Sequence, residues 1–389
     1  MRIAYFSDNF YPEISGISDS IITTGEELRT RGHEVAYVSP WYPASAYKAS
    51  RDAARDKLLT KRLPSIPFFN SPTGQSRTVI SVGASIPFLL KFKPDILHTQ
   101  SPYGTGLEAL LASKLLGVPL VGTNHTPLEE FLHYLPGGRL IAPLAFAYET
   151  WYYNRCRFVT APYQGLIDVM RTRGFKREGR GQANPVPFVA SPKSEEQKQA
   201  CKLELDIPGP MLLSSGRLAP EKHVDVVLRA FALVLKKIPS ATMVITGHGS
   251  AEQNLKKLAG ELQLGNSVRF VGFVTPEKLE QLYCTAEVYV VMSTAETQSL
   301  SLMQGFANGV PAVVARSRGL IDYCPPGCGF QVEPGDIKTL AEKIQLLLTE
   351  PLHQGMGSAG VEFVKKFSPT AIADTWESIY LTVLNAPRG

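Results

Sequence analysis

The sequence predicts an α/β protein of two doubly wound, parallel-sheet domains, and three observations carry that expectation. Short apolar runs that suit buried parallel strands alternate with helix-patterned segments, beginning with MRIAYFS, Asp19 to Arg31, and EVAYVSP. The alternation breaks once, in the proline-bearing stretch Gln182 to Lys193, and then restarts. A chain of 389 residues is also long for a single core.

Taken in order, MRIAYFS is the first strand and Glu34 to Pro40 the second. The helical stretch between them is expected to stop at Gly32, which makes a βαβ unit. Its first turn, DNFYPEISGIS, places Gly16 where backbone can approach a ligand beyond the strand ends; a plain surface turn is the alternative. Lys48 to Arg62 holds six basic residues and two acids. It reads as a charged helix, solvated or lying on an anionic membrane. Pro94 to His98 is the next strand, Gly106 to Leu116 a helix, and Val118 to Gly122 begins the strand that delivers Asn124-His125-Thr126. His125 thus falls at a strand carboxyl end, the edge where open α/β sheets put ligands, and would bind or orient a substrate there. A structural histidine is the alternative.

From Thr126 to Arg180 basic and aromatic residues interleave, as in FAYETWYYNRCRF and RTRGFKREGR. Rings at headgroup depth with cations beside them suit an anionic membrane surface; a buried aromatic helix with a solvated basic loop fits as well. After the Pro-rich linker come MLLSSGRL, VDVVLRAFALVLKKI, ATMVITGHGS, SVRFVGFV, a helix from Pro276 to Cys284, and AEVYVVMS. These form the second domain.

Bulk properties narrow the function. With 44% hydrophobic and 19% charged residues the composition is that of an ordinary globular protein. No run reaches the roughly 20 apolar residues of a membrane-spanning helix, and the N-terminus lacks a signal-peptide layout. A cytoplasmic protein is expected. A net charge of +5 is too mild to imply nucleic acid. The five cysteines read as reduced thiols; only Cys324 and Cys328 lie close, with no second pair at zinc-site spacing.

The second half carries the chemistry. VMSTAETQSLSLMQGFANGVP, from Val291 to Pro311, joins a strand end, Glu296 in a polar turn, and a helix. A carboxylate there can hold sugar hydroxyls while the free N–H groups of the first helical turn hold a phosphate, a combination that suits a nucleotide sugar. A Glu that merely opens a helix is the alternative. Ser214 to Lys222 places Gly216, Arg217 and Lys222 where a strand meets a helix N-terminus. Cations oppose the helix dipole, so an anionic ligand such as a diphosphate would explain them; two surface cations would also fit. Gly247 in TGHG and the strand end Val271 to Val274 supply further turns that expose backbone at strand ends. They should share one side of the sheet.

Together these residues resemble the retaining glycosyltransferases of the GT-B fold, family 4. GRLAPEKHVDVVLRAF, ITGHG, VRFVGFVTPEKLEQLY and ETQSLSLMQGFANGVPAVV follow one another at the family's spacing, and DNFYPEISGIS and NHTPLEEFLHYLP fit as well. The resemblance implies two Rossmann-like domains facing a central cleft: residues 1–190 for the acceptor, 191–368 for the nucleotide sugar, and a helix in 369–389 crossing back. It implies a metal-independent, cofactor-free enzyme in which Arg217 and Lys222 bind the diphosphate and Ser299 and Leu300 offer N–H groups to phosphate. Val274 would offer backbone to the base, Glu296 and His125 would meet the sugar, and Gly16 would lie near phosphate and acceptor.

One position departs from the family. Its second Glu, eight positions after Glu296, is here Gln304, which keeps one acceptor oxygen toward the ribose and exchanges the other for a donor. HTPLEEFLHYLP and ETQ look most like members that glucosylate diacylglycerol at a membrane. The leading expectation is therefore transfer of glucose from UDP-glucose to a membrane lipid, by a cytoplasmic enzyme with peripheral contact to the inner face. A GDP-mannose-dependent α-mannosyltransferase acting on lipid or polysaccharide, and a non-catalytic nucleotide-sugar-binding relative, are the alternatives.

Overall fold

The computed structural model describes residues 1–13, 15–49, 52, 54–67, 76–125, 138–186, 192, 194–207, 209–350 and 352–387. Two compact units divide the chain: residues 1–187 with 369–389, and residues 188–368. The expected boundary at residue 190 lies outside the described residues.

The first unit is a seven-stranded parallel sheet. Its strands are β1 (Arg2–Phe6), β2 (Glu34–Pro40), β3 (Thr60–Leu63), β6 (Ile96–Thr99), β7 (Leu120–Thr123), β8 (Phe158–Ala161) and β9 (Glu178–Gly181), in the order β3-β2-β1-β6-β7-β8-β9. A small antiparallel pair, β4 (Ser65–Pro67) with β5 (Arg77–Val79), stands apart from it. Ile3, Ala4, Tyr5 and Phe6 of β1 are all buried, which is why the central strands read as unbroken apolar runs.

Three sequence expectations change here. The first helix, Gly16–Thr30, opens three residues earlier than its pattern indicated, because the Ser15 side chain caps it by accepting the Ser18 N–H (3.1 Å). Gly16 is accordingly the exposed first residue of a helix, not part of a turn. The charged stretch 48–62 is no helix: among its described residues it ends a short helix (Ala44–Ala49), makes one 3-10 turn (Arg55–Lys57) and becomes β3. Two of its cations are engaged within the unit. Arg55 pairs with Asp19 (2.8 Å), and Arg62 faces the rings of Phe10, Tyr42 and Tyr47 at 5.5 to 5.8 Å.

The aromatic helix Gly138–Tyr153 is two-sided. Tyr152 and Tyr153 are fully buried, whereas Leu140, Leu144, Ala147 and Trp151, one stripe at spacings of four, three and four, are exposed. The terminal helix Pro369–Asn385 packs within this unit. Arg31 binds Asp374 (2.6 Å) and Glu377 (2.7 Å), and Tyr380 hydroxyl meets Tyr5 hydroxyl and His98 Nδ1, each at 2.8 Å.

The second unit is a six-stranded parallel sheet of β10 (Met211–Ser215), β11 (Thr242–Thr246), β12 (Val268–Gly272), β13 (Val288–Val291), β14 (Ala312–Ala315) and β15 (Gly329–Val332), ordered β12-β11-β10-β13-β14-β15. Its helices repeat the doubly wound pattern. In both sheets the chain works outward on one side and then returns to the other side of the starting strand. The reversal falls between β1 and β6 in the first unit and between β10 and β13 in the second. Beyond the carboxyl ends of such strand pairs lie the crevices where doubly wound sheets bind ligands.

Candidate functional site

In the second unit a cavity of about 270 Å3 opens at that reversal. Residues at and just past the end of β10 (Ser215, Gly216, Arg217, Lys222) line one side, and residues past β13 (Glu296, Gln298, Ser299, Leu300, Ser301) line the other. The two stretches singled out in the sequence therefore face each other. Just below the usual ligand-pocket range of roughly 300–1,000 Å3, such a volume suits part of a nucleotide sugar.

The chain is held to this shape by named contacts. Tyr289 hydroxyl donates to Ser215 O (3.0 Å) and meets Ser301 Oγ (2.7 Å), tying the two sides together. Ser299 caps the helix Leu300–Ala307, its Oγ accepting from Leu302 N–H (3.4 Å), so the first-turn N–H groups of Leu300 and Ser301 lie at the cavity. The loop bearing Glu296 is clamped from several directions. Thr294 N–H donates to Glu221 O (3.2 Å), Ser317 Oγ donates to Thr294 O (3.2 Å), and Gly319 N–H donates to Glu296 O (3.1 Å).

Charge in the cavity is balanced internally. Lys222 Nζ lies 2.5 Å from Glu296 Oε1, and Arg217 Nη2 lies 2.6 Å from Glu221 Oε1. Each of the two cations thus has a carboxylate partner, which weakens the sequence argument that an anionic ligand accounts for them. Nor do they open an α-helix directly, since a 3-10 turn (Pro220–Lys222) precedes the helix Val224–Leu235.

Gly247 and Val274 stand at neighbouring strand ends. Gly247 follows β11, with its N–H donated to Gly272 O (2.8 Å), while Leu218 N–H donates to His248 O (2.9 Å) and so laces this turn to the Arg217 turn. Val274 lies in the link between β12 and the helix Pro276–Thr285, and its backbone makes no hydrogen bond among the described residues. Beside it Phe273 is 81% exposed, edge-on to the His248 ring at 5.0 Å. Gln304 is half-buried on the helix Leu300–Ala307, and its side-chain amide makes no hydrogen bond among the described residues.

In the first unit His125 follows β7 and is buried, with Nε2 donating to Gln100 Oε1 (2.6 Å). Burial lowers its pKa to about 4, so the ring is neutral at pH 7 and presents Nδ1 as an acceptor. Gly16 belongs to the same unit. The stretch 126–137, which includes most of NHTPLEEFLHYLP, lies outside the described residues.

With this geometry established, two family matches cover most of the chain in sequence: Glycosyltransferase Family 4 over residues 14–179 and Glycosyl transferases group 1 over residues 195–363. The chain belongs to the family-4 glycosyltransferases. The alpha-monoglucosyldiacylglycerol synthase of Streptococcus pneumoniae is 29% identical over 322 residues, covering 80% of this chain and 70% of that one. The GDP-mannose-dependent alpha-mannosyltransferase of Corynebacterium glutamicum is 25% identical over 407 residues, covering 99% and 88%. Among solved structures, Anabaena HepE in complex with UDP superposes with a TM-score of 0.76 at 18% identity, covering 98% of this chain and 100% of that one. That likeness shows the GT-B fold.

As a family-4 glycosyltransferase the protein has two features its sequence did not reveal. The first is the support of Glu296 by Gly319. A Cβ there would stand 2.0 Å from Thr297 O and 3.1 Å from Glu296 O, so Gly319→Ala must push the Glu296 loop aside. The expected result is a donor kcat/KM at least tenfold lower, with a stability loss of about 1–3 kcal/mol, read by steady-state kinetics and denaturant unfolding. Unchanged kinetics would remove the loop's claimed role.

The second is a pair of buried neutral histidines. Burial also holds His98 well below the usual 6.5, with His125 adding to the effect, and His98 bridges Tyr380 hydroxyl (2.8 Å) and Thr123 Oγ1 (2.7 Å). Unfolding returns both rings to water, where each binds a proton below pH ~6.5 that the folded state refuses. Stability from these groups is complete above that pH and lost as pH falls toward 4. For His125 alone the loss at pH 5 is on the order of 2 kcal/mol. Urea unfolding at pH 7 and pH 5 measures it, and His125→Gln should shrink the difference.

Proposed function

We propose that this glycosyltransferase moves a hexose from a nucleoside diphosphate sugar to a hydroxyl of a membrane lipid, with UDP-glucose as donor and diacylglycerol as acceptor. The observation that carries the donor half is the cavity at the β10/β13 reversal, where Arg217, Lys222, Glu296 and the first-turn N–H groups converge. Arg217, Lys222 and the helix N-terminus compensate the diphosphate, so no divalent ion is required and EDTA leaves the rate unchanged. Ser299 and Leu300 hold phosphate, Glu296 the sugar hydroxyls, and Val274 the base. Gln304 accepts from one ribose hydroxyl and donates to the other.

In this reading the C1–phosphate bond breaks and the C1–acceptor oxygen bond forms on the same face. The acceptor proton passes to the leaving phosphate, and configuration is retained. His125 serves as a neutral hydrogen-bonding partner for substrate hydroxyls.

The lipid half rests on the outer stripe of Gly138–Tyr153. Leu140 and Leu144 are 86% and 75% exposed, and Trp151 carries Arg155 over its ring at 3.9 Å, with exposed Arg171, Lys176, Arg177 and Arg180 in the same unit. Apolar side chains with an aromatic-cation rim fit peripheral attachment to anionic lipid. No helix among the described residues is long and apolar enough to cross a membrane. The named activity of the pneumococcal relative agrees. The mannosyltransferase match, which covers nearly all of this chain, supports GDP-mannose as the second reading for the donor.

Radiolabelled UDP-glucose and GDP-mannose offered with diacylglycerol vesicles decide it. The expected product is an α-glucosyl lipid. Transfer from GDP-mannose alone selects the second reading, and no transfer from any donor leaves a binding protein.

A further inference from the structure

Resting on the reading of this protein as a glycosyltransferase, we propose that Asp8 is the specificity-determining residue for the acceptor and that it selects a neutral, hydroxyl-bearing group over an anionic one. Asp8 lies two residues past β1, and Gln100 and Ser101 directly follow β6. These strands flank the reversal of the first sheet, the counterpart of the β10/β13 reversal where the second sheet has its cavity. The same topological rule that locates the donor cavity therefore points to Asp8.

The surroundings of Asp8 define what it can bind. Its Oδ2 accepts from Ser101 Oγ (2.6 Å) and its Oδ1 from Thr105 N–H (2.9 Å), at the first turn of the helix Gly104–Leu116. Each carboxylate oxygen thus accepts one hydrogen bond and keeps a second lone pair. Thr105 Oγ1 is fully buried and close enough to stabilise the carboxylate, yet it makes no hydrogen bond of normal geometry. Gly104 has no room for a side chain, since a Cβ would stand 2.4 Å from Asp8 Oδ1.

The neighbouring charge is also negative. Glu13 is buried, accepts from Tyr42 hydroxyl (3.0 Å), and raises the Asp8 pKa along with burial; that same Tyr42 hydroxyl reaches Asp8 O (3.4 Å). Arg62 faces the Tyr42 ring, donates through Nη1 to Ser39 Oγ (2.9 Å) and Pro40 O (3.2 Å), and makes no ion pair with Asp8 among the described residues. A carboxylate that accepts from hydroxyls and has a second acid behind it favours a glycerol-like hydroxyl group and repels a phosphate.

The test uses the full chain on phosphatidylcholine vesicles whose share of phosphatidic acid is adjusted so that the total anionic lipid is the same with either acceptor, which keeps membrane attachment equal. The vesicles carry either diacylglycerol or phosphatidylglycerol as the hydroxyl-bearing acceptor. Wild type is expected to prefer diacylglycerol at least tenfold in kcat/KM. Asp8→Asn should keep the fold, because Asn retains Oδ1 for the Thr105 N–H and can donate Nδ2 to Ser101 Oγ. It should raise the diacylglycerol KM at least tenfold and narrow the preference over phosphatidylglycerol. A wild-type preference for phosphatidylglycerol, or an Asp8→Asn enzyme with unaltered acceptor KM and preference, overturns the proposal. Absence of transfer and of donor hydrolysis in wild type would instead overturn the glycosyltransferase reading beneath it.

Discussion

Glu296→Gln is expected to lower the kcat/KM for the sugar donor by about a hundredfold to a thousandfold, the range found when one preorganised polar contact to a transition state is removed. The substitution keeps the shape and takes away the charge. The same change should act in the opposite direction on the product. Glu296 engages Lys222 at 2.5 Å, so neutralising it frees the ammonium and removes a carboxylate that repels phosphate. Free UDP, which lacks the sugar that Glu296 would hold, should then bind several-fold more tightly, as titration calorimetry would read. Equal weakening of donor and UDP would mean that the substitution damaged the cavity generally.

Lys222→Met carries the second large effect. It removes the cation proposed to pair with the diphosphate and leaves Glu296, which is mostly buried, without its partner. Losing a charge-assisted contact costs about 1.5–3 kcal/mol, and the stranded carboxylate adds repulsion, so donor KM should rise by roughly 30-fold to several hundred-fold. The two substitutions share a contact and cannot be additive. The double variant should lose less than the product of the single losses, with a coupling of about 1 kcal/mol or more. Simple additivity would show that the Lys222–Glu296 pair has no bearing on donor binding.

The alternation of strands and helices was legible because parallel strands are buried on both faces, so that MRIAYF reads as an apolar run. The Ser214–Lys222 and Val291–Pro311 stretches were legible as chemistry because each joins a strand end to a helix start. Their convergence is visible in the structure, since β10 and β13 are neighbours there. The pairing of Lys222 with Glu296 joins residues 74 positions apart and left no local mark.

Asp8 and Gln100 escaped notice for a related reason. Their significance lies in the strand order β2-β1-β6, and neither residue stands in a glycine-rich or cationic pattern. The stretch 48–62 misled because spacing does not show where a charge goes: Arg62 lies among three aromatic rings and reads in sequence like any surface cation. The capped start of the first helix turned on Ser15, a residue type common in loops and at helix N-termini alike.

The central claim is that the β10/β13 cavity binds a nucleoside diphosphate sugar through Lys222 and its neighbours. Thermal unfolding with and without UDP-glucose, in wild type and Lys222→Met, tests it most directly, because a ligand at 100 times its Kd stabilises the folded state by about 2.7 kcal/mol. A rise in Tm for wild type that shrinks sharply in Lys222→Met at the same concentration is the predicted result. An equal rise in both proteins, or none in wild type with either UDP-glucose or GDP-mannose, would contradict it.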